Sequence, residues 1–229
     1  MEDSLDIAHR QARQISIAAA VVLAGIILSG PVAVVLVEVL APQPSWQGVT
    51  TFIEHYSWLQ SLPYVFGFFI AGGFILLVAS TPAGDDDGRS LLRRIALAFT
   101  AISAGLIFFN YVMQTAFIPL SLHESPVIVA ATTMANPNSL GWALEMYGYA
   151  ILGIATAFLA PLFNKSVRQR VIARLFVLNC ILSVVGAFLM PLFPGWVLTG
   201  TGMVLGAAWN ILVAVTMVLL LAEFRFGRL

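Results

Sequence analysis

Charge is what this sequence has least of. Asp, Glu, Lys and Arg make up only 10% of its 229 residues, where a soluble domain carries about 25%. Water cannot solvate so charge-poor a surface. With 60% hydrophobic residues and a mean hydropathy of +0.95, the chain belongs in a lipid bilayer. Lysine occurs once, at Lys165, outside every long apolar run, so no helix offers the amine that a retinal Schiff base needs. Cysteine also occurs once, at Cys180 within an apolar run. An intramolecular disulfide and a cysteine metal cluster are therefore excluded. A reactive thiol needs an accessible, electropositive setting, so Cys180 reads as a small buried residue.

Other absences narrow the function further. The apolar runs contain no histidine, which argues against a transmembrane b-type haem, and no c-type attachment motif occurs. There is no glycine-lysine phosphate loop, so the chain is not itself an ATPase. No helix carries arginines in series, so there is no voltage sensor. Formal net charge is zero and no basic stripe is interleaved with aromatics, so no nucleic acid partner is expected. No cofactor is expected either, and no residue stands out as catalytic.

What is present is apolar length. Crossing about 30 Å of hydrocarbon takes about 20 mostly apolar residues in a helix. Six runs meet that demand, at 15–40, 62–80, 92–119, 140–163, 171–191 and 197–222. They are continuous rather than alternating in polarity, which excludes a transmembrane barrel. The expected fold is all-α: one six-helix membrane domain over residues 1–229.

Basic residues set the expected orientation, because they favour the cytoplasmic side. Arg10 and Arg13 precede the first run. Arg89, Arg93 and Arg94 lie between the second and third or in the first turn of the third, and Lys165, Arg168, Arg170 and Arg174 between the fourth and fifth or in the first turn of the fifth. Arg225 and Arg228 follow the sixth. The other three loops hold none. Both termini are therefore expected in the cytoplasm, with the protein in the cell membrane. The start is acidic (Glu2, Asp3, Asp6) and the first apolar run is long, so it reads as a retained helix and not a secretory signal. The turn at Asp85, Asp86, Asp87 and Gly88 lacks the spacing of a calcium loop and reads as solvated.

Two outer loops are long. Residues 41–61 carry Val49, Phe52, Ile53, Tyr56 and Leu59 at helical spacing, with Trp46 and Trp58 nearby. This pattern predicts a short amphipathic helix in the outer interface. Residues 121–139 include an apolar piece, 126–131, that is placed to fold back as a cap. The third outer loop, at Pro194 and Gly195, reads as a tight turn.

Polar groups inside a membrane are costly, so each one is a functional candidate. Glu145 leads, about one and a half turns into the fourth helix from its outer end. Tyr149 shares its face at i+4. A carboxyl group there either carries a proton or holds a donor or a cation. Asn110 and Gln114 share a face of the third helix and are placed to line a pocket under the outer loops. Glu38 lies near the outer end of the first helix, beyond Pro31, which should kink that helix. Glu54 with His55, and His123 with Glu124, are weaker candidates for a metal. Deeper amides, Asn179 and Asn210, suit bonding between helices.

Gly202 and Gly206 form a close-packing motif whose face continues to Asn210. The helix it admits belongs to this chain, to a second copy or to a partner membrane protein, and a six-helix bundle favours the first. Gly67 and Ala71 form a weaker version. In size and helix count the chain resembles the substrate-binding subunits of vitamin importers, a resemblance of architecture carried by no shared motif. Three readings follow, in order. The first is a binding or transport protein for a small cationic or amphipathic molecule, with an outward-facing vestibule around Glu145. The second is an accessory or interaction protein without a small-molecule site. The third is a membrane-embedded metalloenzyme acting on lipid.

Overall fold

Backbone amides find no water inside hydrocarbon, so each apolar run must close its own hydrogen bonds as a helix. The computed structural model describes residues 2–83 and 86–225, with side chains from His9 onward, and no strand occurs among them. Asp85, Arg228 and the side chains of Glu2, Asp3 and Asp6 lie outside the described residues. In chain order the α-helices are α1 (Glu2–Ile27), α2 (Ala33–Leu40), α3 (Val49–Glu54), α4 (Leu62–Ser80) and α5 (Asp87–Val112). They continue as α6 (Ile118–Ser121), α7 (Pro126–Thr132), α8 (Leu140–Leu159), α9 (Val167–Leu192) and α10 (Gly200–Phe224).

Six stretches are long and apolar enough to cross a membrane: His9–Leu40, Trp58–Ser80, Asp87–Ser121, Leu140–Leu162, Val167–Leu192 and Gly200–Phe224. The chain is a multi-pass helical membrane protein. Several helices run past the apolar boundaries where arginine and lysine lie, because their long stems carry the charge back to water. The sixth instead begins later than hydropathy suggests. Trp196–Leu198 makes a separate 3₁₀ turn, and the Thr199 hydroxyl caps α10 by accepting from Gly202 N at 3.2 Å. Asp86 of the acidic turn caps α5 in the same way, accepting from Gly88 N at 2.9 Å. Gly195 takes a φ of +78° in the tight turn before α10, which glycine does without steric cost.

Proline shapes two of the spans. Pro31 has no N–H to give and crowds the carbonyl four residues back. The chain widens into a π-helical turn over Leu28–Val32 and continues as α2. A second π turn, Met113–Phe117, precedes Pro119 and joins α5 to α6.

The six spans form a closed ring in which α1 packs on α4, α4 on α5, α5 on α8, α8 on α9, α9 on α10 and α10 on α1. Small residues set the approach. A Cβ on Gly73 would lie 2.6 Å from Val22 Cγ2, and one on Gly153 would lie 2.9 Å from Cys180 Cα. Gly67 sits directly against the Tyr111 ring, and Ala71 is buried beside Ile107. The weaker small-residue pattern is therefore the one that seats a helix of this chain. At the stronger one, Gly202 is tucked under the carbonyls of Trp196 and Val197, while among the described residues a Cβ on Gly206 would meet no other element within 4 Å.

The ring has two unlike ends. At the arginine end Arg89 Nη2 donates to Leu162 O at 3.0 Å. Arg168 Nη1 donates to Ala222 O at 3.0 Å and pairs with Glu223 at 3.3 Å. The main apolar core fills this half, with Phe74, Leu77, Leu159, Phe176, Met217 and Leu220 all buried. Toward the opposite end α2 and α10 are both largely exposed. Val34, Val35, Met203 and Val204 are exposed there, and between Gly202 and Leu212 no residue of α10 is buried.

That opposite end carries a cap. Phe52 of α3 is buried against Ile118, Leu122 and Val129, so the apolar side of α3 packs on α6 and α7. The amphipathic helix expected in the interface thus spends its apolar face on the neighbouring loop. The helix itself is shorter than the spacing suggests, and Trp58–Ser61 forms a separate 3₁₀ turn. Trp58 is 69% exposed.

Candidate functional site

The site begins in the cap and descends into the ring. Gln114, in the π turn that follows α5, staples residues 132–134 to that helix. Its Nε2 donates to Thr132 O at 3.0 Å and its Oε1 accepts from Met134 N at 3.1 Å. Trp142 Nε1 donates to Met134 O at 2.7 Å and fixes the same segment to α8. Gln114 Nε2 also donates to Asn110 Oδ1 at 3.2 Å. That bond uses the oxygen of the Asn110 amide and leaves its nitrogen to face inward. Asn110 Nδ2 then donates to Glu145 Oε2 at 3.0 Å.

The other carboxylate oxygen meets tyrosine. Tyr111 OH donates to Glu145 Oε1 at 2.8 Å and lies 3.1 Å from Tyr149 OH. Tyr111 is held from behind by aromatic rings, with centroids 5.7 Å from Tyr64 and 5.6 Å, edge-on, from Phe68. Tyr149 leans on Trp209 of α10 at 4.5 Å, and Trp209 Nε1 donates to Ser183 Oγ at 3.1 Å. Glu145, Tyr149 and Trp209 are half-buried, whereas Asn110, Tyr111 and Gln114 are buried.

The structure therefore brings Glu145, Tyr149, Asn110 and Gln114 into one hydrogen-bonded group. Glu38 is exposed on α2 and stands outside it. Asn210 lies beyond Trp209 on α10, where its Nδ2 donates to Gly206 O at 2.9 Å. His55 is exposed and its Nδ1 lies 3.0 Å from Thr51 O. Glu54, His123 and Glu124 are exposed as well. Among the described residues no three His, Cys, Asp or Glu side chains gather as a metal site would require.

Two members are not evident from hydropathy. Tyr111 near a helix end reads as an interfacial anchor, and Trp209 reads as packing. Tyr111 could be found from its neighbours: it follows Asn110 directly, and Gly67 on the adjoining span leaves room for its ring.

Glu145 meets amide and hydroxyl donors and, among the described residues, no basic side chain. Burying a carboxylate without a countercharge is strongly unfavourable. The group consequently carries a proton or faces a cation. Tyr111 touches the carboxyl and Tyr149 touches Tyr111, with Tyr64 and Trp209 packed against them, and aromatic faces attract cations through their quadrupoles.

The chain matches no family model, no curated protein and no solved structure. Its functional reading rests on this site.

Proposed function

We propose that this protein binds a small organic cation, a protonated amine or quaternary ammonium, in the half of the ring that faces out of the cell. Binding there serves movement of that cation across the cell membrane. The observation that carries the reading is Glu145: an acidic side chain within a membrane span, oriented by Asn110 and Tyr111, with no basic partner among the described residues. Tyr149 and Trp209 supply the aromatic faces, and the half-buried state of both, with Glu145 beside them, suits the wall of a vestibule. Arginine and lysine at the other end favour a cytoplasmic location for both termini. Melting temperature in detergent against a panel of organic cations, divalent metals, vitamins and lipids tests this. A rise with an organic cation, absent in Glu145→Gln, supports the site; no rise across the panel discards it.

A second reading, an accessory protein that seats a partner helix, draws on a separate observation. Gly206 faces open space on a half-helix with little burial, as a vacant small-residue interface does. Self-association or capture of a partner that is lost in Gly206→Leu, with no ligand response, favours it.

A further inference from the structure

The interior of the ring holds a cavity of about 10 Å³, lined by Thr156, Asn179, Thr216, Phe74, Phe176 and Met217 among others. All six of these residues are buried. Asn179 Nδ2 donates to Thr156 Oγ1 at 3.1 Å. The orientation of that amide is forced. Gly153 O at 2.8 Å and Phe176 O at 3.1 Å already compete for the single Thr156 hydrogen, so the third neighbour must be a donor. Asn179 Oδ1 is left buried with no hydrogen-bond partner. Thr216 spends its own hydrogen on Leu212 O at 2.8 Å, which leaves its lone pairs free to accept. The cavity thus offers two acceptors, Asn179 Oδ1 and Thr216 Oγ1.

We propose that this cavity is a binding site for one water molecule, which donates both hydrogens and ties α9 to α10 inside the ring. Its size sits at the lower end of what one water needs, about 10–15 Å³. A small cation such as sodium would also suit two oxygen acceptors, and charge decides against it. The lining has no carboxylate, and Glu145 is eleven residues from Thr156 along α8, about 16 Å away. A cation without a countercharge in this setting is far costlier than a neutral water. The site does not depend on the ligand proposed for Glu145.

Radiolytic hydroxyl-radical labelling with a brief X-ray pulse tests it, because a bound water generates radicals in place and oxidises side chains that bulk solvent cannot reach. Met217 is fully buried and lines the cavity, so it reports on the site. Met217 is expected to be oxidised in the wild type and in Thr216→Ser. Oxidation should fall severalfold in Thr216→Val, at an unchanged elution profile. An unmodified Met217 in the wild type, or equal oxidation in Thr216→Val and Thr216→Ser, overturns the proposal. Melting temperature is expected to be the same in sodium chloride and N-methylglucamine chloride. A rise specific to sodium that is lost in Asn179→Leu would replace the water with an ion.

Discussion

Removing one oxygen atom from Tyr111 tests whether the carboxyl of Glu145 is held as described. Tyr111→Phe keeps the ring in place against Gly67 and Phe68 and deletes the hydroxyl that donates to Glu145 at 2.8 Å and touches Tyr149 at 3.1 Å. A hydrogen bond between neutral groups contributes about 0.5–1.5 kcal/mol, and one to a charged group about 1.5–3. Interhelical bonds measured within a membrane average about 0.6 kcal/mol and reach about 1.7. The expected loss without ligand is therefore about 1 kcal/mol. The informative quantity is the coupling with Glu145→Leu, which removes the acceptor. In a double-mutant cycle followed by reversible unfolding in bicelles, the two changes should couple by about 1 kcal/mol. Losses that add to within about 0.3 kcal/mol, the scatter of independent sites, would show that Tyr111 does not hold Glu145 and would refute the network.

Two further outcomes follow from the same geometry. Cysteine placed at Glu124 or Glu54, in a Cys180→Ala background, should react with an impermeant maleimide added to whole cells, whereas cysteine at Arg168 should react only after lysis; the reverse pattern would invert the orientation. Gly153→Leu should destabilise the protein by about 1–3 kcal/mol through overpacking of α8 on α9, because a Cβ there already lies 2.9 Å from Cys180 Cα. Gly206→Leu, in open space, should stay within about 0.5 kcal/mol of wild type, and equal losses in the two variants on denaturant unfolding would contradict the packing.

The spans were legible because hydropathy over a membrane's thickness is a long signal, and because arginine and lysine punctuate every second loop. The clustering of Glu145 with Asn110, Gln114 and Tyr149 was legible from helical spacing plus the cost of burying polar groups. Tyr111 was not, since a tyrosine near a span's end has an equally good interfacial explanation. The packing role of Gly67 over that of Gly206 was not legible either. Small-residue spacing says that a helix can approach, and only the ring order decides where one does. The π turns escaped as well. Pro31 announces a kink, but whether the chain bends or widens depends on what packs beside it. Glu38, exposed on α2, illustrates that a charge near a span carries no information about which way the helix turns it.

The most direct measurement compares melting of the wild type and Glu145→Gln in tetraethylammonium chloride against sodium chloride at equal ionic strength. A ligand at a hundredfold excess over Kd stabilises the folded state by about 2.7 kcal/mol, which corresponds to a rise of roughly 5–11 °C for a chain of this size. A rise in the wild type that vanishes in Glu145→Gln is the expected result. An equal rise in both proteins, or none in the wild type, would contradict a cation site built on Glu145.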